Sequence, residues 1–449
     1  MNALADPRRA EAFRFVRCAY AHGEAELVYA FDDGPELVER IGFPEAPALA
    51  PERRAAFDAA LRLLHLIAGV SYYKAGVPPR IVVAGDPPDA PTAALLERIY
   101  VHGLAEFAYQ NRLDLRGRVR FPHGAAAASP AAAAGLSRRT LVPLGGGKDS
   151  LVSVEMLKSI QEPATAVWVG DSALIAACAE RTGWPRLNLT RRLAPELFEY
   201  NRQGAWNGHI PVTAINSAIL LCAALLYGHD AIAFSNERSA SAAMLEYDGQ
   251  PVNHQWSKGL EFERLLREHV RSHIAADLDY FSLLRPFSEL AVARAFARTS
   301  RYDEVFSSCN RNFRIRGERP TDRWCGLCPK CHFVFLALAP FVAKPRLLAI
   351  FGRNLLDDPA LAPGFDALLE YREHRPFECV GEGREARAAM YALARRAEWR
   401  EDALVARFAE EILPQLDRAE LALEPLLAPA GEHFLPPRLA GLLDAPGRA

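Results

Sequence analysis

The chain has 449 residues, 50% hydrophobic and 24% charged, enough core material for two or three globular domains. Lys+Arg number 53 against 55 Asp+Glu, a formal charge of −2, so charge alone gives no reason to expect a nucleic-acid or membrane partner. The N-terminal MNALADPRRAEAF lacks an apolar core with a cleavage site, and the most apolar run, 214–228, is too short to span a bilayer and carries Asn216 and Ser217. A cytoplasmic protein is expected, with its eight cysteines outside any disulfide framework.

In chain order, 13–20 and 26–31 flank an AHGEA turn and predict a β-hairpin. Apolar spacing predicts helices over 51–70 and 92–108, with a strand at 80–84 between them. These elements make 1–123 an N-terminal α+β accessory domain. GAAAASPAAAAG then has linker composition, placing a boundary at 124–136. From 140 the pattern alternates: strand 140–144, helix 148–160, strand 164–169, helix 173–182, strand 186–189, an apolar helix over 211–227 and a strand at 231–234. Strands alternating with helices imply right-handed βαβ units and a parallel sheet, an α/β core over 137–345. Residues 346–449 read as a helical C-terminal region.

Ligands on such sheets bind at the carboxyl ends of strands. The first strand there ends in LVPLGGGKDS. Gly145, Gly146 and Gly147 let backbone N–H groups crowd a ligand, and the following helix points its positive end at the loop. Lys148 adds a cation, Asp149 a carboxylate for Mg²⁺, and Ser150 a hydroxyl. The spacing fits neither a Walker A loop nor GxGxxG. The bland alternative is a glycine turn before a helix. Cys309 and WCGLCPKC supply four thiolates, Cys309, Cys325, Cys328 and Cys331, which suit a closed tetrahedral structural Zn²⁺ site. An Fe–S cluster and buried free thiols are the alternatives.

GGGKDS resembles the SGGxDS loop of the PP-loop ATP pyrophosphatases, with Gly145 in place of the usual Ser. The segment 140–335, with RPFSELAVARAFA and the cysteine cluster, resembles the 7-cyano-7-deazaguanine synthases. The set GGGKDS, FSNERSAS, VNHQWSKGLEFE, SCNR, WCGLCPKC and RPFECVG is similar, over most of the chain, to the ATP-dependent UDP-N-acetylmuramoyl-L-alanyl-L-glutamate epimerases.

That resemblance implies a sheet of the PP-loop type. It also implies ATP- and Mg²⁺-dependent inversion of the terminal L-Glu of a UDP-muramoyl dipeptide to D-Glu during peptidoglycan precursor synthesis. An α-proton beside a free carboxylate is hard to remove, and adenylation of the carboxylate makes it more acidic. AMP and pyrophosphate would be released, and a ligase that adds L-Glu would supply the substrate. By analogy with the loop, Lys148, Asp149 and Ser150 would handle pyrophosphate and Mg²⁺. Asp171 and Asn236, at neighbouring strand ends, could meet adenine or ribose, and Glu237 could bind metal or Arg238. A cap or salt bridge is the alternative for each.

The acid/base groups are sought in VNHQWSKG, where His254 is a natural proton shuttle and Lys258 could grip a carboxylate or phosphate. Cys379 is a possible thiolate base, and His209, ahead of the apolar helix, a neutral donor. Two other readings stay open: a PP-loop ligase or thiolase acting on a deazapurine or tRNA, and a non-catalytic ATP-binding zinc module.

Overall fold

The computed structural model describes residues 5–125, 130–313 and 319–444. Its strands are β1 (Ala12–Ala21), β2 (Glu24–Phe31), β3 (Leu37–Gly42), β4 (Arg80–Val83), β5 (Ser137–Pro143), β6 (Ala164–Val169), β7 (Arg186–Arg192), β8 (His229–Phe234), β9 (Leu245–Tyr247), β10 (Gln250–Val252) and β11 (Asp279–Ser282). Nine of them form one sheet in the order β11-β8-β5-β6-β7-β3-β2-β1-β4, while β9 and β10 make a separate hairpin. From β11 to β7 every pairing is parallel. β3 then joins β7 antiparallel, β2 and β1 continue antiparallel, and β4 closes the edge parallel to β1. The fold is mixed α/β around a large, mostly parallel sheet.

The stretch expected as an accessory unit, 1–123, is therefore built into the same sheet as the strand–loop–helix region. The join is β3, which sequence patterning missed because Glu39 interrupts its apolar side. Leu37, Glu39 and Ile41 are all fully buried. Glu39 is satisfied there by Arg191 on β7, Nε to Oε1 at 2.7 Å, and the same guanidinium donates to Ser71 Oγ at 2.9 Å.

Side chains alternate across a strand, so the sheet separates two cores. Leu141, Val167, Ile232 and Tyr280 face one, which holds the N-terminal strands and the helices Arg54–Ala68 and Val212–Tyr227. Val142, Trp168, Ala233 and Phe281 face the other, with the helices Lys148–Ser159, Glu289–Ala297, Pro329–Leu338 and Gly383–Ala394. The helical C-terminal stretch thus shares its core with the glycine-loop helix. The segment Pro51–Tyr73 is long and apolar enough to cross a bilayer, but 78% of its most apolar window is buried in the first core. Of the expected linker, 126–129 lie outside the described residues. Its later part is fastened: Ala131 N donates to Ser272 O at 3.0 Å and Ala134 N to Asp277 Oδ1 at 2.7 Å.

Candidate functional site

The parallel strands run β11-β8-β5-β6-β7, so successive crossovers from β5 go to opposite sides, and the chain direction across the sheet reverses between β5 and β8. Such a switch opens a crevice at the carboxyl ends of the two strands. A cleft of about 270 Å³ lies there, lined by Gly145, Gly147, Asp149 and Ser150 after β5 and by Ser235 and Asn236 after β8.

The loop is shaped by its glycines. Gly146 has φ +78°, and its carbonyl accepts from Ser307 N at 2.9 Å. A Cβ on Gly147 would lie 2.6 Å from Ser308 Oγ, whereas one on Gly145 would meet nothing within 4 Å. The helix Lys148–Ser159 therefore begins at the cleft with its positive end toward it. Ser150 Oγ is turned back onto Gly147 O at 3.2 Å.

Lys148 does not line the cleft. It is 1% exposed beneath the loop, with its ammonium against the carboxylates of Asp149 and Glu289. Burial alone would lower its pKa, but those two charges outweigh it and hold it well above the ordinary lysine value. Among the described residues, the cations that face the cleft are Lys258 and Lys330. Lys330, which sequence reasoning passed over between two cysteines, has Nζ 3.8 Å from Glu289 Oε1 and donates to the Cys379 carbonyl.

Asp149, Glu237 and Glu289 bring carboxylate oxygens within 4.8 Å of one another. Burial, then Glu289 and Asp149, push Glu237 up to about 8. Three converging carboxylates are the donor set of a hard divalent cation such as Mg²⁺. Glu289 carries no local signal; it is the first residue of a helix that is apolar apart from Glu289 and Arg294. Asn236 is buried and donates from Nδ2 to Ser282 Oγ at 3.0 Å. Asp171 is exposed at the end of β6, outside the residues that line the cleft.

His254 and Lys258 converge on a third residue. Lys258 Nζ donates to Cys379 Sγ at 3.2 Å, and the His254 imidazole hydrogen-bonds the same sulfur. On its other side, His254 Nδ1 contacts the Glu106 carboxylate. His209 stacks at 4.1 Å between ring centroids from His254, with Nδ1 3.9 Å from Glu106. Burial pushes the Cys379 thiol upward, yet Lys258, His254 and Lys330 outweigh it and draw it down to about 5. Burial likewise opposes charge on His254, but Cys379 and Glu106 raise it to about 9. His209 is neutral, as expected, but chiefly through burial, followed by the charges of His254 and Lys258, which bring it to about 3. Beneath these groups the buried Arg285 pairs with Glu263 at 2.9 Å, donates to Glu237 O at 2.7 Å, and reaches Lys258 O.

Cys309, Cys325, Cys328 and Cys331 come together as the spacing suggested, with Sγ–Sγ separations of 3.4 Å (328–331), 3.8 Å (325–331) and 4.0 Å (309–328). Four sulfurs about 2.3 Å from a tetrahedral Zn²⁺ would lie about 3.8 Å apart, so the set fits zinc. Cys328 caps the helix Pro329–Leu338, which carries Lys330 into the cleft.

The class of protein so defined is an α/β protein with a polar cleft at a topological switch, where a glycine loop, three carboxylates, two lysines and a thiol face one another. The MurL N-terminal domain model matches residues 4–283 and the MurL C-terminal domain model residues 305–422. The chain is 62% identical over 437 residues to the UDP-N-acetyl-alpha-D-muramoyl-L-alanyl-L-glutamate epimerase of Xanthomonas oryzae pv. oryzae, covering 97% of each chain. It is 43% identical over 453 residues, 98% of each chain, to the protein of the same name from Salinispora tropica. The chain belongs to the MurL epimerase family.

Proposed function

We propose that this chain inverts the α-carbon of the terminal glutamate of UDP-N-acetylmuramoyl-L-alanyl-L-glutamate, in the cytoplasmic synthesis of peptidoglycan precursors. The observation that carries this reading is the likeness to epimerases of that name over 97% of both chains. The proposed course is ATP-dependent. The glycine loop and the helix start at Lys148 receive phosphates. Asp149, Glu237 and Glu289 would hold a Mg²⁺, which would supply charge neutralisation to those phosphates. Lys258 and Lys330, the cations facing the cleft, orient the glutamate carboxylate against the α-phosphorus. That carboxylate displaces pyrophosphate to form an acyl-adenylate, the α-proton is exchanged, and water releases AMP. Lys148 keeps the carboxylates from repelling one another, and a zinc ion in the four-cysteine set would fix the helix that presents Lys330.

The test is incubation of the purified chain with ATP, Mg²⁺ and UDP-MurNAc-L-Ala-L-Glu in D₂O. AMP together with D-Glu product deuterated at Cα is expected. Intact ATP with no deuterium incorporated would overturn the reading.

A further inference from the structure

The molecule contains its own comparison for Cys379. Cys178 and Cys222 are buried among apolar residues, and burial pushes both thiols up, Cys178 to about 12. These are inert core sulfurs. Cys379 differs in every respect that matters to reactivity. It lines the cleft beside Gly145, Gly147 and Asp149, and it takes a hydrogen bond from the Lys258 ammonium at 3.2 Å.

The segment that presents Cys379 has no regular secondary structure and is fastened from several sides. Lys330 holds the Cys379 carbonyl, Gln255 Nε2 donates to Val380 O at 3.3 Å, and Arg375 bridges Gly381 O at 3.2 Å and Ala243 O at 2.7 Å. Fixing a loop sulfur this firmly against two cations costs conformational entropy that packing alone would not require.

We propose that Cys379, as a thiolate, is the base that removes the glutamate α-proton, with His254 and Glu106 as its positioning residues. This rests on the adenylation reading above. Glu106 engages His254 Nδ1, and the same imidazole bears on the sulfur. His209 packs against the same ring as a neutral neighbour. The titratable groups around the sulfur are Lys258, His254, Lys330, Glu378, Glu106 and His209, and the cations among them keep it ionised.

The step balances. The thiolate lone pair takes the Cα proton and becomes a thiol. The C–H electron pair moves into the mixed-anhydride carbonyl, forming an enolate whose oxyanion Lys258 stabilises. A solvent proton reaches the opposite face of Cα, the thiol returns its proton to water, and hydrolysis of the anhydride frees AMP. A thiolate is suited to this step because, held near a pKa of 5, it is ionised at neutral pH, where Ser or Thr would not be.

The experiment compares wild type with Cys379→Ser in D₂O, following AMP release and Cα deuteration separately. Cys379→Ser is expected to release AMP with the dipeptide within about threefold of wild type, while deuteration falls by at least about 10²-fold, the contribution of a general base. Deuteration at the wild-type rate, or equal loss of both readouts in a folded variant, would overturn the proposal. So would a dipeptide adduct on Cys379 in the intact-protein mass, since the sulfur would then be a nucleophile. If wild type itself releases no AMP, the adenylation reading fails instead. A second measurement does not depend on turnover: alkylation of Cys379 by iodoacetamide in the full chain should show a half-point near pH 5 that moves upward in His254→Gln. A half-point near that of an ordinary thiol would refute the thiolate.

Discussion

Two walls of the same cleft are built in opposite ways. The glycine wall is six consecutive residues, 145–150, on a strand–turn–helix unit whose shape follows from local backbone chemistry. The thiol wall takes Glu106, His209, His254, Lys258 and Cys379 from separate segments, up to 273 positions apart in numbering, and holds them by buried contacts. A contiguous site tolerates distant packing changes, because its geometry is set by its own dihedrals. An assembled site transmits every loss of support to its reactive atom.

The largest expected effect is at Arg285, which supports the assembled wall and touches no ligand. Arg285→Met leaves Glu263 buried and unpaired and frees the carbonyls of Glu237 and Lys258. Loss of one partner of a buried pair costs about 3–5 kcal/mol, so denaturant unfolding should shift by that amount, and Cα deuteration should fall further than AMP release. Next is Cys328→Ser, which removes one of the four sulfurs proposed to hold zinc, at the N-terminus of the Lys330 helix. Elemental analysis should show zinc lost from the chain, with destabilisation of a few kcal/mol in thermal melts. Retention of one zinc per chain after Cys328→Ser would refute the four-cysteine assignment.

The pH profile separates the walls without a mutation. Cys379 is depressed to about 5, so acid below that value protonates the base; His254 is raised to about 9, so alkali above that value removes its charge. The ratio of deuteration to AMP release should fall about tenfold per pH unit below the lower limit and stay level up to the upper one, beyond which loss of the His254 charge loosens its hold on the sulfur without reprotonating it. The smallest effects belong to the local wall. Gly145→Ser has open space around it and should keep activity within about twofold, whereas Gly147→Ala must displace Ser308 Oγ and should weaken ATP binding by about tenfold or more, read as KM for ATP.

What could be read from the chain follows the same division. Hydrophobic period and turn residues placed β1, β2, β4 to β8 and their helices to within a few residues, because those elements satisfy their own backbone locally. β3, β9, β10 and β11 escaped. β3 hides a buried glutamate in its inward face, and the other three are three or four residues long, too short for a period to show. The four cysteines and the glycine loop were legible because each is a short local spacing pattern. His254 and Lys258 were singled out as polar residues that no pattern explained, and the structure brings both toward Cys379, the third candidate named, with Lys258 and Cys379 lining the cleft.

By itself, then, the sequence determined most of the elements, the glycine turn, the four-cysteine cluster and the kinship with an epimerase family, all of which depend on residues near one another or on overall likeness. Only the tertiary structure decided that Lys148 lies beneath the loop while Lys258 and Lys330 face the cleft, that Glu289 completes a carboxylate trio, and that Cys379 stands against the Lys258 ammonium. A pKa and a direction in space depend on which charges and walls surround a group. Those neighbours come from segments whose meeting is fixed by packing across a sheet rather than by any local pattern.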